Sequence, residues 1–368
     1  MLRVLWQAGL RSSSPGSPLA SRRCRCAILA HVQRAPELRG EAVRRREFTA
    51  FLGGAAAWPL TARAQQSAMP VIGFLDASSR EVRFGDRVGS FQQGLSEAGY
   101  VEGRNATIEY RWAEGNYDRL PALGADLVRR QVAVIAAAGT PAALAAKAAT
   151  PDIPVIFETA GDPVALGLVA SLNRPGGNVS GVTQLSSELI AKRIGLLHDL
   201  IPSAKSIGLL VNPKDARAET QSREVQEAAQ ALGLQIHIVK ASTDGEIDPA
   251  FAELIRLRAG ALAVGTGEFL YAHAEQLAAA AARYRLPAIY QYRLFVQAGG
   301  LISYGASLAD SYRLAGVYTG RVLKGEKPAD MPIARATKFG LVINLKTAHA
   351  LGLSIPPGVL AIADEVIE

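Results

Sequence analysis

The sequence predicts an α/β protein of two similar, doubly wound parallel-sheet lobes joined by a multi-strand hinge. Three observations carry this. Short β-branched runs alternate with helix-period segments, the alternation repeats once with the same local motifs, and 49% hydrophobic content over 368 residues can fill two moderate cores.

The strand-like runs begin with VIGFLD at 71, ATIEYRW at 106, VAVIAAAG at 132 and IPVIFET at 153. They resume with SIGLLVN at 206, LQIHIVKAS at 234, ALAVGTG at 261, LPAIYQ at 286 and LISYG at 301. Helical period marks stretches such as 84–98, 117–131, 186–200, 217–232, 270–284 and 308–324. Apolar strands separated by helices imply sheets covered on both faces.

The second series echoes the first. VIGFLD, a helix ending SEAGY and ATIEYR are matched by SIGLLVN, a helix ending QALGL and IHIVK. Pro154 of IPVIF matches Pro287 of LPAIY, and GGNVSGV matches GGLISYG. One lobe is therefore expected over 65–184 and 301–330, and the other over 185–300 and 331–368. Crossings are expected near Thr183–Ser186, Ala298–Leu301 and Asp330–Lys338, where Gly, Ser or Pro interrupts the pattern. With paired lobes and no heptads, a monomer is expected.

The net charge of +7 is concentrated at the start of the chain. Residues 1–64 hold 11 of the 40 Lys and Arg but 3 of the 33 Asp and Glu, leaving 29 basic against 30 acidic groups in the body. Nucleic-acid capture loses its electrostatic support, and no nucleic-acid partner is expected. The stretch RRREFTAFLGGAAAWPLTARAQQ has the basic, apolar and A-x-A order of an export signal, which predicts cleavage after Ala64 and a periplasmic body. Arg45-Arg46-Glu47-Phe48 resembles a twin-arginine signal. Residues 1–42 precede this complete leader, and initiation at Val43 would remove Cys24 and Cys26. Either way the exported body lacks cysteine, so no disulfide or thiolate site is expected.

In doubly wound sheets, ligand loops leave the C-terminal strand ends. Those loops carry Ser78 and Ser79, Thr140 and Pro141, Thr159 and Asp162, Asn212, Glu268 and Phe269, Tyr290 and Tyr292, and Tyr304. Facing lobes would make these loops the walls of a cleft. Thr140 and Asp162 each precede a proline, so each is expected to open a helix whose free N–H groups favour an anion such as a carboxylate. Glu268 can pair with an ammonium, and the aromatics offer apolar faces with polar tips. Thr140 and Asp162 also read as plain caps, Asn212-Pro213 as a turn, and either tyrosine alone as packing.

Catalytic signatures are missing. The body's histidines, His198, His237, His273 and His349, show no ligand spacing, and neither G-x-S-x-G, a Walker loop nor G-x-G-x-x-G at a strand-to-helix turn occurs. Neither a metal nor another cofactor is expected. The chain is expected not to be an enzyme, although two carboxylates across a cleft could act as acid and base.

From about Met69 to Glu368, the stretches GTPAALAAKAATPDIPVIFETAGDPVALGLVASLNRPGGNVSGVT and LPAIYQYRLFVQAGGLISYGASLADSYRLAGVYTGRVLKGEKPADMPI resemble the substrate-binding proteins of ABC transporters, of the tryptophan/tyrosine type. The resemblance implies a periplasmic binding protein, type I-like, that closes on a small solute and delivers it to an inner-membrane permease. It also implies an aromatic amino acid ligand near Thr140-Pro141 and Asp162-Pro163. Where the family often has an Asp followed by a polar residue or Pro in the second-lobe loop, this chain has Gly267-Glu268. A cleft enzyme, or a sensor presenting its closed form to a receptor, would use the same architecture.

Overall fold

The computed structural model describes residues 69–79 and 86–368; the leader, its cleavage site at Ala64 and both cysteines lie outside them. The first lobe is a six-stranded sheet in the order β11-β5-β4-β3-β1-β2. Its strands are β1 (Val71–Asp76), β2 (Thr107–Trp112), β3 (Val134–Ala138), β4 (Val155–Thr159), β5 (Val179–Thr183) and β11 (Ala334–Arg335), and all pairs are parallel. The second lobe is a seven-stranded sheet, β13-β12-β10-β9-β8-β6-β7. It comprises β6 (Ser206–Val211), β7 (Gln235–Lys240), β8 (Ala261–Val264), β9 (Ala288–Tyr290), β10 (Ile302–Ala306), β12 (Phe339–Asn344) and β13 (Glu365–Ile367). Within it β10 and β12 run antiparallel.

Every residue of β3 and β4 is buried, the polar Glu158 and Thr159 at the end of β4 included, as helices covering both faces of the sheet require. In the first lobe α1 (Arg87–Glu97) lies on one face, and α2 (Leu120–Arg129) and α3 (Thr140–Ala149) lie on the other. The pleat divides β1 between the two cores: Ile72 and Phe74 pack with Phe91 and Leu95, while Leu75 packs with Leu127 and Ala143.

The second lobe repeats this with α4 (Ile190–Leu200) and α5 (Ala218–Ala231) on one face, and α6 (Asp244–Arg256), α7 (Glu268–Ala272), α8 (Ala274–Arg283) and α9 (Arg293–Gln297) on the other. The repeat extends to single contacts. Gly73 of β1 lies against Leu127 and Gly208 of β6 against Leu254, in each case so closely that a Cβ would overlap the leucine.

The chain leaves the first sheet after Thr183. It does not return at Ala298–Leu301, as the sequence suggested. Gly299 and Gly300 turn the chain out of α9 within the second lobe, with Gly300 against Tyr290 and Phe295, and β10 then pairs with β9 and β12. The return follows Ala306, where α10 (Leu308–Leu323) packs on α1, through Tyr312 and Ala315 against the Phe91 and Leu95 core. Residues 302–306 thus belong to the second sheet, and Ala334–Arg335 pair with Val182–Thr183 in the first. The last crossing runs from there to β12, whose continuation includes α11 (Leu345–Ala350) and α12 (Pro357–Ala361).

One expected helix is missing. After Asp162-Pro163 the chain makes turns, with Leu168 N–H donating to the Pro163 carbonyl, and Gly167 at φ +68° ends the coil before a second turn can form.

Candidate functional site

At the end of β1 the buried Asp76 carboxylate accepts from the Ser78 N–H at 2.8 Å and from its hydroxyl at 2.9 Å. Its other neighbour is Arg87, the first residue of α1, whose Nη1 lies 3.4 Å from Asp76 and 3.3 Å from the Tyr312 hydroxyl. The same Nη1 reaches Glu268 of the second lobe at 2.7 Å, and the guanidinium carbon sits 3.8 Å above the Tyr271 ring. Arg87 is 5% exposed. Burial opposes its charge, but Glu268, Tyr312 and Asp76 outweigh burial and hold its pKa well above the ordinary value. Burial likewise pushes the Glu268 carboxyl up, against the pull of Arg87.

Other contacts close the lobes on each other. The Phe269 N–H donates to the Tyr117 hydroxyl at 3.0 Å, and Gly139 lies directly against the Glu268 side chain. At the first crossing Gln184 is a junction. Its Nε2 donates to Glu158 at 2.6 Å, and its Oε1 accepts from the Tyr292 hydroxyl and from Gln291 Nε2, both at 3.0 Å. Gln291 Nε2 also donates to Ser186 Oγ at 2.7 Å. Burial, then the neighbouring Glu268 charge, push the Glu158 carboxyl up to about 7. A separate ion pair, Arg217 with Asp215 at 3.0 Å, is completed within the second lobe by Thr266.

Against this centre lies a cavity of about 390 Å³, lined among others by Arg87, Tyr271, Gln291, Tyr292, Ser307 and Phe339. Its size suits a compact organic solute. Three of its buried lining residues carry polar atoms without a partner: Arg87 Nε and Nη2, the Tyr271 hydroxyl, and Gln291 Oε1. The Nε and Nη2 edge of a guanidinium is a fork that matches a carboxylate, while an amide oxygen accepts from an N–H or O–H. Tyr271 and Tyr292 meet edge to face at 5.8 Å and supply aromatic wall.

The structure brings some of the sequence-selected residues to this centre and leaves others apart. Glu268 and Tyr292 are in it. Thr140 and Thr159 lie beside it, with hydroxyls 2.6 Å apart, and Thr140 with Pro141 forms the first turn of α3 rather than a side-chain cap. Ser78 is bound to Asp76, and Ser79 follows it, half-buried. Asn212 is buried and holds a turn through the Lys214 N–H. Phe269 packs into the second core beside His273 while its backbone contacts Tyr117.

Three of the expected residues stand apart from this centre. Asp162 is exposed and accepts from Val164 and Ala165 N–H groups, so it caps a turn and presents no helix to the cleft. Tyr290 is fully buried, stacked on Phe295 at 4.7 Å, because the last residue of a doubly covered strand faces a core. Tyr304 packs against the other core of the same lobe.

Sequence reasoning missed Arg87, Tyr271 and Gln184, and reached the strand-end loop of Gln291 without choosing that residue. For Arg87 a signal exists: a cation in the first turn of a helix opposes the macrodipole, a local misfit that calls for a specific partner. Gln291 lies in a strand-end loop between two tyrosines, and nothing in its residue type singles it out. Among the described residues no group of three or more His, Cys, Asp or Glu is placed to hold a metal ion, and no helix is long and apolar enough to cross a membrane.

The family model described as ABC transporter substrate binding protein matches residues 71–367. A curated relative, the tyrosine-binding protein of Clostridioides difficile (strain R20291), is 29% identical over 263 residues, 72% of this chain and 75% of its own. Among solved structures, a Streptococcus pneumonia ABC domain in complex with L-Trp is 28% identical, with TM-score 0.75 over 81% of this chain and 99% of its own. A ligand-free, open substrate-binding protein from Clostridium difficile is 25% identical at the same coverage, but its TM-score is 0.60. The fold is that of type I periplasmic binding proteins, shared also with chains of lower identity, and the matching family binds solutes rather than catalysing a reaction. This chain belongs to the ABC transporter substrate-binding protein family.

Proposed function

We propose that this protein is the exported solute-capturing component of an ABC importer, that it works as a monomer in the periplasm, and that its solute is an aromatic amino acid. The observation that carries the ligand class is the buried Arg87 edge with two unpartnered nitrogens, set in a tyrosine-walled cavity between the lobes. A carboxylate on that edge replaces part of what Glu268 now supplies to Arg87, and an ammonium can take up the freed Glu268 charge. The tyrosine-binding and L-Trp-bound relatives support the same class. Carboxylate recognition thus moves from a pair of helix N-termini to one arginine.

A solute touching both walls favours the closed lobes, and the closed form is what a permease reads. The leader ending near Ala64 supports export. Calorimetry of the body with L-tyrosine, L-tryptophan and L-phenylalanine is expected to show binding, weakened for phenylpropionate and hydroxybenzoate. Tight binding of a sugar or a metal ion, with silence toward all the aromatic compounds, would overturn the ligand class.

A further inference from the structure

Resting on the aromatic amino acid reading, we propose that Gln291 makes the site reject the 2-keto acid counterpart of its solute, and that Gln184 is the positioning residue that enforces this. Gln291 is 3% exposed and lines the cavity. Both N–H groups of its amide have an acceptor, Gln184 Oε1 at 3.0 Å and Ser186 Oγ at 2.7 Å, and its Oε1 has no partner. An amide can in principle sit either way round, so its neighbours decide.

Here the decision comes from one residue further out. Gln184 gives its own Nε2 to Glu158 at 2.6 Å, which turns its Oε1 toward Gln291 and Tyr292. A flipped Gln291 would set oxygen against oxygen. Gln291, a residue of the cavity wall, therefore keeps its Oε1 as a fixed, unpartnered acceptor. An ammonium donates to it and a hydroxyl can, but a ketone oxygen at the same carbon is a second acceptor and leaves both unpaired in a buried site.

Glu268 attracts an ammonium whichever way the Gln291 amide points, so wild-type preference alone does not isolate the amide. The test is a ratio. Dissociation constants are measured by calorimetry for L-tyrosine, 4-hydroxyphenyllactate and 4-hydroxyphenylpyruvate, and for the corresponding tryptophan and phenylalanine series. The wild-type protein is expected to bind the keto acid about 100-fold or more weaker than the amino acid, with the hydroxy acid between. Gln184→Leu leaves the Gln291 amide free to turn, and the ratio of keto acid to amino acid affinity is expected to rise about tenfold. A merely structural loss would weaken both solutes alike and leave that ratio unchanged.

Ser186→Ala removes the other acceptor without disturbing Glu158, and is expected to move the ratio in the same direction by a smaller factor. A keto acid bound within about threefold of its amino acid by the wild-type protein, below the cost of an unpaired buried acceptor, overturns the proposal, as does a ratio unchanged in both variants. Silence of the wild-type protein toward all three amino acids overturns the aromatic reading, and this proposal with it. Binding without discrimination overturns this proposal alone.

Discussion

Arg87 of the first lobe and Glu268 of the second meet at 2.7 Å, and the guanidinium that makes this bridge also lies 3.8 Å over the Tyr271 ring. The bridge connects the two lobes through a charge pair largely withdrawn from water, where losing one partner leaves the other uncompensated. It also holds Arg87 in place while two of its nitrogens remain for a solute.

Arg87→Lys keeps a charge for Glu268 but loses the planar fork, so aromatic amino acid affinity is expected to fall at least about tenfold. Glu268→Gln removes the charge that draws the lobes together, and is expected to enlarge the ligand-free radius of gyration in small-angle scattering. An unchanged radius would show that the bridge does not hold closure.

Gly139 tests closure from the other side. Its φ is +85°, and a Cβ there would stand 2.5 Å from Glu268 Oε1. Gly139→Ala is expected to lower stability by about 1 kcal/mol or more through backbone strain, and also to weaken solute binding by holding the lobes apart. Gly176, at φ +71° with nothing within 4 Å of a built Cβ, is the control: Gly176→Ala carries the strain without the interlobe contact. Equal affinities in the two variants would remove the closure argument and leave strain alone.

The series of strands and its repeat were legible because β3 and the first three residues of β4 are apolar and because VIGFLD and SIGLLVN carry Gly73 and Gly208 at matching places, one packing device used twice. Loops at strand ends were legible by the same route. Choosing among their residues was not. Tyr290 and Tyr292 read as one strand face, but β9 stops at Tyr290, and the turn into α9 sends one ring into the core and the other to the cavity. At Arg87 the local misfit of a cation in a first helical turn calls for a partner without identifying it, because Glu268 and Tyr271 lie more than 180 positions away and meet it only when the lobes do.

Asp162 supplies a contrast. It is exposed and bonded to two N–H groups of its own turn. Asp162→Ala is expected to cost about 1 kcal/mol in chemical denaturation, as loss of a cap does, while calorimetric affinity for L-tyrosine and L-tryptophan stays the same. A loss of affinity without loss of stability would place this turn at the solute.

Glu158 makes the stability depend on pH. It is 3% exposed, and burial followed by the nearby Glu268 charge raises its pKa from 4.5 to about 7. A carboxyl whose folded pKa lies above its unfolded value binds its proton more tightly in the folded state. Its stabilisation is fully present below about 4.5 and is lost as pH rises through about 7. Glu158→Gln keeps an acceptor oxygen for the Gln184 amide and removes the titration. Relative to this variant, the wild-type protein is expected to lose roughly 3 kcal/mol of unfolding free energy between those two pH values, at about 1.4 kcal/mol per pKa unit. Urea denaturation of both proteins at intervals from pH 4 to pH 8 measures it. Parallel curves would show that Glu158 ionises in the folded protein as it does in the unfolded chain, and a gap widening as pH falls would reverse the sign of the argument.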